Sequence, residues 1–272
     1  MKRLSLPLMT AVGLMGMTAL TGCGSGSTDS ATSASAAMTP SASSTPSPSS
    51  TLSGTVTVLA AASLTESFTA LEKSFEAANP GVDVTISFGS SATLAQQIAQ
   101  GAPADLYASA GTKALDQLPA EAKAKPTTTL AKNVLEIATP PGNPKKVTGL
   151  ASLADASTNV VLCAETVPCG SAADAVLTKA AVTAHVVSRE VDVKATLAKI
   201  TLGEADAAIV YHSDVVAAGS KVEGVEIPAA QNTTLAYPLV RLTDTAATKA
   251  FADLLASAAG LKELETVGFL AP

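Results

Sequence analysis

Thr55-Val56-Thr57-Val58-Leu59-Ala60-Ala61-Ala62-Ser63-Leu64-Thr65-Glu66 changes its period halfway along. Residues 55–60 are β-branched and apolar, the composition of a short buried strand. Ser63-Leu64-Thr65-Glu66 then matches the S-x-x-E capping box that opens a helix. Leu64, Phe68, Leu71 and Phe75 follow at helical spacing, and Asn79-Pro80-Gly81 ends the helix. Residues 82–88 read as the next strand. Gly89-Ser90-Ser91 turns into a second helix with Leu94 and Ile98 on one face, and residues 105–109 read as a third strand. Strand and helix alternating at this spacing predict a parallel α/β sheet with right-handed crossovers.

The pattern then restarts. Residues 133–138 and 160–164 read as strands separated by the loop Pro140-Pro141-Gly142-Asn143-Pro144. Residues 171–181 and 192–202 read as helices, and 207–211 as a buried strand. Strands over 222–227 and 237–242 precede helices near 244–258 and 261–267. Two α/β sheets of ordinary domain size follow from this order. Ligands of such sheets bind at the carboxyl ends of the strands, in the cleft between lobes.

The N-terminal segment reads differently. Lys2 and Arg3 precede an apolar run over 4–20, the layout of a secretory signal. The run is short for a membrane span. It ends in Leu20-Thr21-Gly22-Cys23, which resembles a bacterial lipobox. That resemblance implies a signal peptide over 1–22 and a lipid on Cys23. Residues 24–53 contain 17 Ser or Thr, and their only charge is Asp29. Such a stretch buries too little apolar surface to offset ordering entropy, so 23–53 reads as a lipidated, disordered tether.

Charge excludes some functions. The 272 residues carry 17 Lys or Arg and 23 Asp or Glu, a formal net charge of −6. A nucleic-acid partner is not expected without clustered cations. Bulk field attraction of an anion is not expected either. Two histidines argue against a histidine-rich metal site, so no protein-ligated cation and no cofactor are expected. The sequence has no G-x-S-x-G, S-x-x-K, G-x-x-x-x-G-K-[ST], H-E-x-x-H or G-x-G-x-x-G. His212 and Asp214 beside Tyr211 are too local to orient a triad, so no enzyme is expected. Cys163 and Cys169 lack C-x-x-C spacing. In an exported protein they read as a disulfide across a short loop, with two buried thiols as the alternative.

Hydroxyls at strand-to-helix turns give the stronger signal. Ser63 and Ser91 both stand where a strand ends and a helix begins. The first turn of a helix has free N–H groups and a partial positive charge, so an added hydroxyl helps to hold an oxyanion without a cation. The plain alternative is that both serines are N-caps; one such serine alone would say little, and two in consecutive βα units at one sheet edge strengthen the anion reading.

Several segments taken in order resemble the periplasmic molybdate-binding proteins of ABC importers. They are Ala60-Ala61-Ala62-Ser63-Leu64-Thr65, Ser87-Phe88-Gly89-Ser90-Ser91-Ala92-Thr93-Leu94 and Gly101-Ala102-Pro103-Ala104-Asp105-Leu106-Tyr107-Ala108-Ser109-Ala110. Val167-Pro168-Cys169-Gly170, Asp192-Val193-Lys194, Ile209-Val210-Tyr211-His212-Ser213-Asp214, Tyr237-Pro238 and Val267-Gly268-Phe269 continue the match.

The resemblance implies an α/β, two-lobed periplasmic-binding-protein-like fold. Each lobe is a mixed sheet flanked by helices: 54–132 with 233–272 forms one, and 133–232 the other. It implies extracytoplasmic binding of molybdate or tungstate by Ser63, Ser91, Cys169, Val193 and Tyr211. Cys169 and Val193 act through backbone N–H groups, although the family commonly has a small residue such as Ala at the position of Cys169. Asp105 is expected to bond a loop or hinge, and Tyr107 and Tyr237 to be core or hinge residues. The implied partners are an ABC permease and its ATPase, for a monomer held at the membrane by its lipid. Readings left open are a sulfate, thiosulfate or organic-acid binder, an oxyanion-sensing receptor, and an extracellular enzyme on the same fold.

Overall fold

The computed structural model describes residues 52–272. The segment expected to be a signal peptide, the expected lipidation site Cys23 and the expected tether up to residue 51 lie outside the described residues. Leu52, expected in the tether, packs against the core beside β1, so ordered packing begins before Gly54.

β1 (Gly54–Ala61), α1 (Thr65–Ala78), β2 (Val82–Gly89), α2 (Ser91–Ala99) and β3 (Leu106–Ala108) follow the expected alternation. β1 is parallel to both β2 and β3, with Ala61 level with Gly89. α3 (Ala120–Lys123) leads into β4 (Thr127–Thr139). Next come β5 (Val160–Cys163), α4 (Pro168–Lys179), β6 (Val186–Glu190), α5 (Val193–Thr201), β7 (Ala207–Tyr211) and α6 (His212–Ala218). β8 (Glu223–Glu226), β9 (Thr234–Arg241), α7 (Ala246–Ala256) and α8 (Ala258–Thr266) complete the chain.

The strands form one mixed path, β2-β1-β3-β9-β4-β7-β5-β6, with β8 also on β4. β4 joins two halves of that path. Its first part, from Thr127 to Val134, runs antiparallel to β9. Its second part, from Leu135 to Thr139, pairs with β7 and β8. One half thus holds β1, β2, β3 and β9, and the other holds β5 to β8.

Alternation along β1 sends side chains to both faces. Val56, Val58 and Ala60 join the main core, with Phe68, Leu71 and Phe75 of α1. Leu59 points the other way, into a smaller cluster with Leu94, Tyr107 and Val240. Helices therefore cover both faces. The Phe75 and Phe251 rings, 5.0 Å apart, tie α1 to α7. Each such aromatic burial contributes about 1.5–3 kcal/mol.

Two local readings are corrected. Ser63 does not cap α1. It sits inside a 3-10 turn over Ala62–Leu64, α1 begins one residue after Leu64, and no side chain caps it. The Ser63 hydroxyl is engaged by Tyr237 instead. Residues 186–190 form a strand that the alternation did not predict, because Val186 and Ser188 are only half-buried at the sheet edge.

Candidate functional site

The site lies at the carboxyl ends of β1, β2, β5 and β7. Ala61 and Gly89 are cross-strand neighbours, so the turns after β1 and β2 bring Ser63 and Ser91 to one edge. Cys163 closes β5, and Pro168 opens α4 without an N–H to satisfy. Cys163 and Cys169 are joined by a disulfide, with their Cα atoms 5.7 Å apart. Gly170 is required here, because a Cβ would sit 1.9 Å from the Ala164 carbonyl oxygen. Asp192 caps α5 by accepting the Ala195 N–H at 2.8 Å, which leaves Val193 as the first helical residue. Tyr211 ends β7.

Ser63, Ser91, Cys169, Val193 and Tyr211 all line one cavity of ≈ 20 Å³. One water needs about 10–15 Å³ on this measure, so the cavity suits a guest of few atoms. No Lys or Arg lines it. The one acidic lining residue, Asp192, spends a carboxylate oxygen on its helix cap. The first turns of α2, α4 and α5 all contribute to the wall, so free N–H groups and helix-dipole charge converge there.

The hydroxyls are backed from behind. Ser63 Oγ lies 2.9 Å from the Tyr237 phenol oxygen. Asn133 Nδ2 donates to Ser213 Oγ at 2.7 Å and toward the Tyr237 oxygen at 3.5 Å. The Ser63 and Tyr237 hydroxyls share one buried hydrogen bond in which either oxygen can donate, and Asn133 donates to the phenol from behind. Ser91 Oγ accepts the Ala110 N–H at 2.9 Å, which fixes the hydroxyl at the cavity wall. Tyr107 donates to the Ser91 carbonyl at 2.7 Å, and burial pushes its phenol up to about 12.

Tyr211 is 1% exposed, and among the described residues its phenol oxygen makes no close, well-aligned hydrogen bond, its polar neighbour being the Tyr237 phenol. Burial, then the neighbouring Tyr237 and Asp214, hold it well above the usual tyrosine range. The group is therefore a neutral donor. Tyr211, Tyr237 and Phe269 stack edge to face, with centroids 6.1 and 4.9 Å apart, which fixes where the phenols point.

The sequence reasoning missed Ser90, which also lines the cavity with an unpartnered buried hydroxyl. The dipeptide Ser90-Ser91 held that signal, but helix position alone favoured only the second serine. Asp105 stays away from the cavity, accepting the Thr57 N–H at 2.8 Å and the Thr243 hydroxyl at 2.5 Å. The His212–Asp214 trio is split. His212 Nδ1 meets Glu136 Oε2 at 2.6 Å beside a separate cavity, and Asp214 faces Lys194.

Comparison with known proteins places this geometry among relatives. A family model described as bacterial extracellular solute-binding protein matches residues 56–270. The molybdate-binding protein ModA of Mycobacterium bovis is 37% identical over 222 residues, covering 80% of this chain and 85% of the relative. The substrate-binding domain of a putative molybdenum ABC transporter from Clostridium difficile superposes with a TM-score of 0.60 at 30% identity. That match covers 80% of this chain and 99% of the other. The Azotobacter vinelandii periplasmic molybdate-binding protein shares the fold at TM-score 0.68 and 20% identity, covering 80% and 99% of the two chains.

Proposed function

The chain belongs to the bacterial extracellular solute-binding protein family, and on that premise we propose that it captures molybdate outside the cytoplasm and delivers it to an ABC importer. The observation that carries this reading is the cavity itself. Ser63, Ser91, Cys169, Val193 and Tyr211 converge on a small space that, among the described residues, no cationic side chain lines, and one of its donors, the Tyr211 hydroxyl, makes no close, well-aligned hydrogen bond there. An unpaired buried hydroxyl costs about 1–3 kcal/mol, a cost that a bound anion removes.

Sites built of donors favour an anion that has no proton left. Molybdate, tungstate and sulfate meet that condition near neutral pH. Phosphate keeps a proton that needs an acceptor, and leaving it unpaired discriminates by about 1–3 kcal/mol. Tungstate, close to molybdate in size and charge, is the second ligand of this reading. Sulfate has shorter bonds, so its rejection requires donors spaced for the larger anion.

Binding proceeds by closure of two lobes, 54–132 with 233–272 against 133–232. Ser63 and Ser91 meet the anion from the first, and Cys169, Val193 and Tyr211 from the second. The anion favours the closed state through donors that only that state brings together. The closed surface is what a permease reads, while its ATPase partner supplies the work. The protein acts as a monomeric carrier and not as an enzyme, and a lipid on Cys23 holds it at the outer face of the membrane.

Thermal shift and calorimetry with molybdate, tungstate, sulfate and phosphate test the reading. Molybdate at 100 times its dissociation constant raises stability by about 2.7 kcal/mol. Ser63→Ala and Ser91→Ala each weaken binding by about 1–3 kcal/mol while the fold persists. A clear shift with sulfate and none with molybdate or tungstate would overturn the assignment.

A further inference from the structure

Beside the cavity lies a cluster of three charges that the anion site does not use. Lys194 Nζ donates to Glu66 Oε1 and Oε2 at 2.9 and 2.8 Å. It also forms an ion pair with Asp214, 3.1 Å from Oδ1. Asp214 is fully buried, whereas the Lys194 and Glu66 side chains are 26% and 41% exposed.

The cluster shares its backbone with three of the five proposed donors. Glu66 is three residues after Ser63, Lys194 is next to Val193, and Asp214 is three residues after Tyr211. Asp214 Oδ2 also accepts the Tyr211 backbone N–H at 3.3 Å. Glu66 belongs to α1 in one half of the sheet, and Lys194 and Asp214 belong to α5 and α6 in the other. Among the described residues, the other ion pairs each join groups within a single half.

We propose that Lys194 is a closure latch: anchored on Asp214 in one lobe, it takes up Glu66 of the other lobe when the cleft shuts, and so sets how long the anion is held. This rests on the two-lobed, anion-binding reading above. Physical asymmetry supports it. Asp214 is buried and cannot be rehydrated without moving α6, so Lys194 stays with it. Glu66 is half-exposed and exchanges the ammonium for water at little cost, so this contact is the one that opens. A contact made only in the closed state slows release and leaves capture unchanged.

The test compares wild type with Glu66→Gln, Glu66→Asp and the control Glu204→Gln, which breaks the Lys199–Glu204 pair inside one half. Stopped-flow release of molybdate is expected to quicken about three- to tenfold in Glu66→Gln, with association within about twofold of wild type. Glu66→Asp restores slower release, and Glu204→Gln changes nothing. A zero-length carbodiimide crosslink between Lys194 and Glu66, read by mass spectrometry, should increase when molybdate is added. Unchanged release in Glu66→Gln, or a crosslink absent with and without anion, overturns the latch. If wild type binds none of the four anions, the functional reading fails and the latch falls with it; if wild type binds molybdate and the variants behave alike, the latch alone fails.

Discussion

The phenol oxygen of Tyr237 lies 2.9 Å from the hydroxyl oxygen of Ser63, and both side chains are buried. Asn133 donates to that phenol from behind, so Ser63 is held at the cavity wall by a buried hydrogen-bond chain. Tyr237→Phe breaks the chain while keeping the ring that packs on Phe269. Anion affinity should fall about three- to tenfold, the worth of one ordinary hydrogen bond. Calorimetry checks this, and an affinity equal to wild type would show that Ser63 needs no backing.

The Cys163–Cys169 bridge clamps the loop that presents the Cys169 amide. Reduction, or the double change Cys163→Ser with Cys169→Ser, should cost about 2 kcal/mol of stability for so short a loop. It should also weaken anion binding, because the amide is no longer held at the cavity wall. Thermal denaturation and calorimetry with and without reductant measure both effects. Titration of two free thiols from these positions in the unreduced protein would contradict the bridge.

Much of this architecture was legible in the chain because burial leaves a periodic record. Leu64, Phe68, Leu71 and Phe75 announced α1, and all four are buried in the structure. The restart after residue 132 marked the point where β4 passes from one half to the other. What escaped was set by partners distant in sequence. Ser63 satisfies the local pattern of a cap, yet its bond goes to Tyr237, 174 residues away. Glu66 satisfied the same pattern as a capping acid, and Lys194, 128 residues away, takes it instead. β6 alternates only weakly because it is an edge strand, and α6 is a short helix whose start is fixed by Asp214 rather than by an apolar stripe.

Asp214 gives the stability a pH dependence of unusual sign. Burial pushes its carboxyl up to about 6, against the pull of Lys194, while Glu66 adds a smaller upward push. For Lys194 itself, burial pulls the ammonium down, and Asp214 and Glu66 more than offset it, so it remains charged. The groups facing Asp214 are thus Lys194, Glu66 and the two phenols of Tyr211 and Tyr237. Its folded pKa lies above the unfolded value, so the native state binds the proton more tightly. The stability this group contributes is fully present below about pH 4 and is lost as pH rises through about 6. Denaturant titrations from pH 4 to 7 should show that slope flatten in Asp214→Asn. An unchanged slope in the variant would place the proton elsewhere.

Tyr211→Phe separates stability from function most sharply. Tyr211 is buried and lines the cavity, and among the described residues its hydroxyl makes no close, well-aligned hydrogen bond. Removing it takes away a desolvated donor and leaves the ring free to keep its edge-to-face contact with Tyr237. The ligand-free protein should therefore be as stable as wild type or gain up to about 1–3 kcal/mol. Anion binding should move the other way. A hydrogen bond to a charged acceptor contributes about 1.5–3 kcal/mol, so affinity should fall about ten- to a hundredfold. A purely structural tyrosine predicts the reverse pair of results, lower stability with unchanged affinity. Thermal midpoints without anion and calorimetry with molybdate read the two quantities on one sample. Opposite signs are expected because a binding site keeps its donors unpaired until the ligand arrives, at some cost to the empty fold.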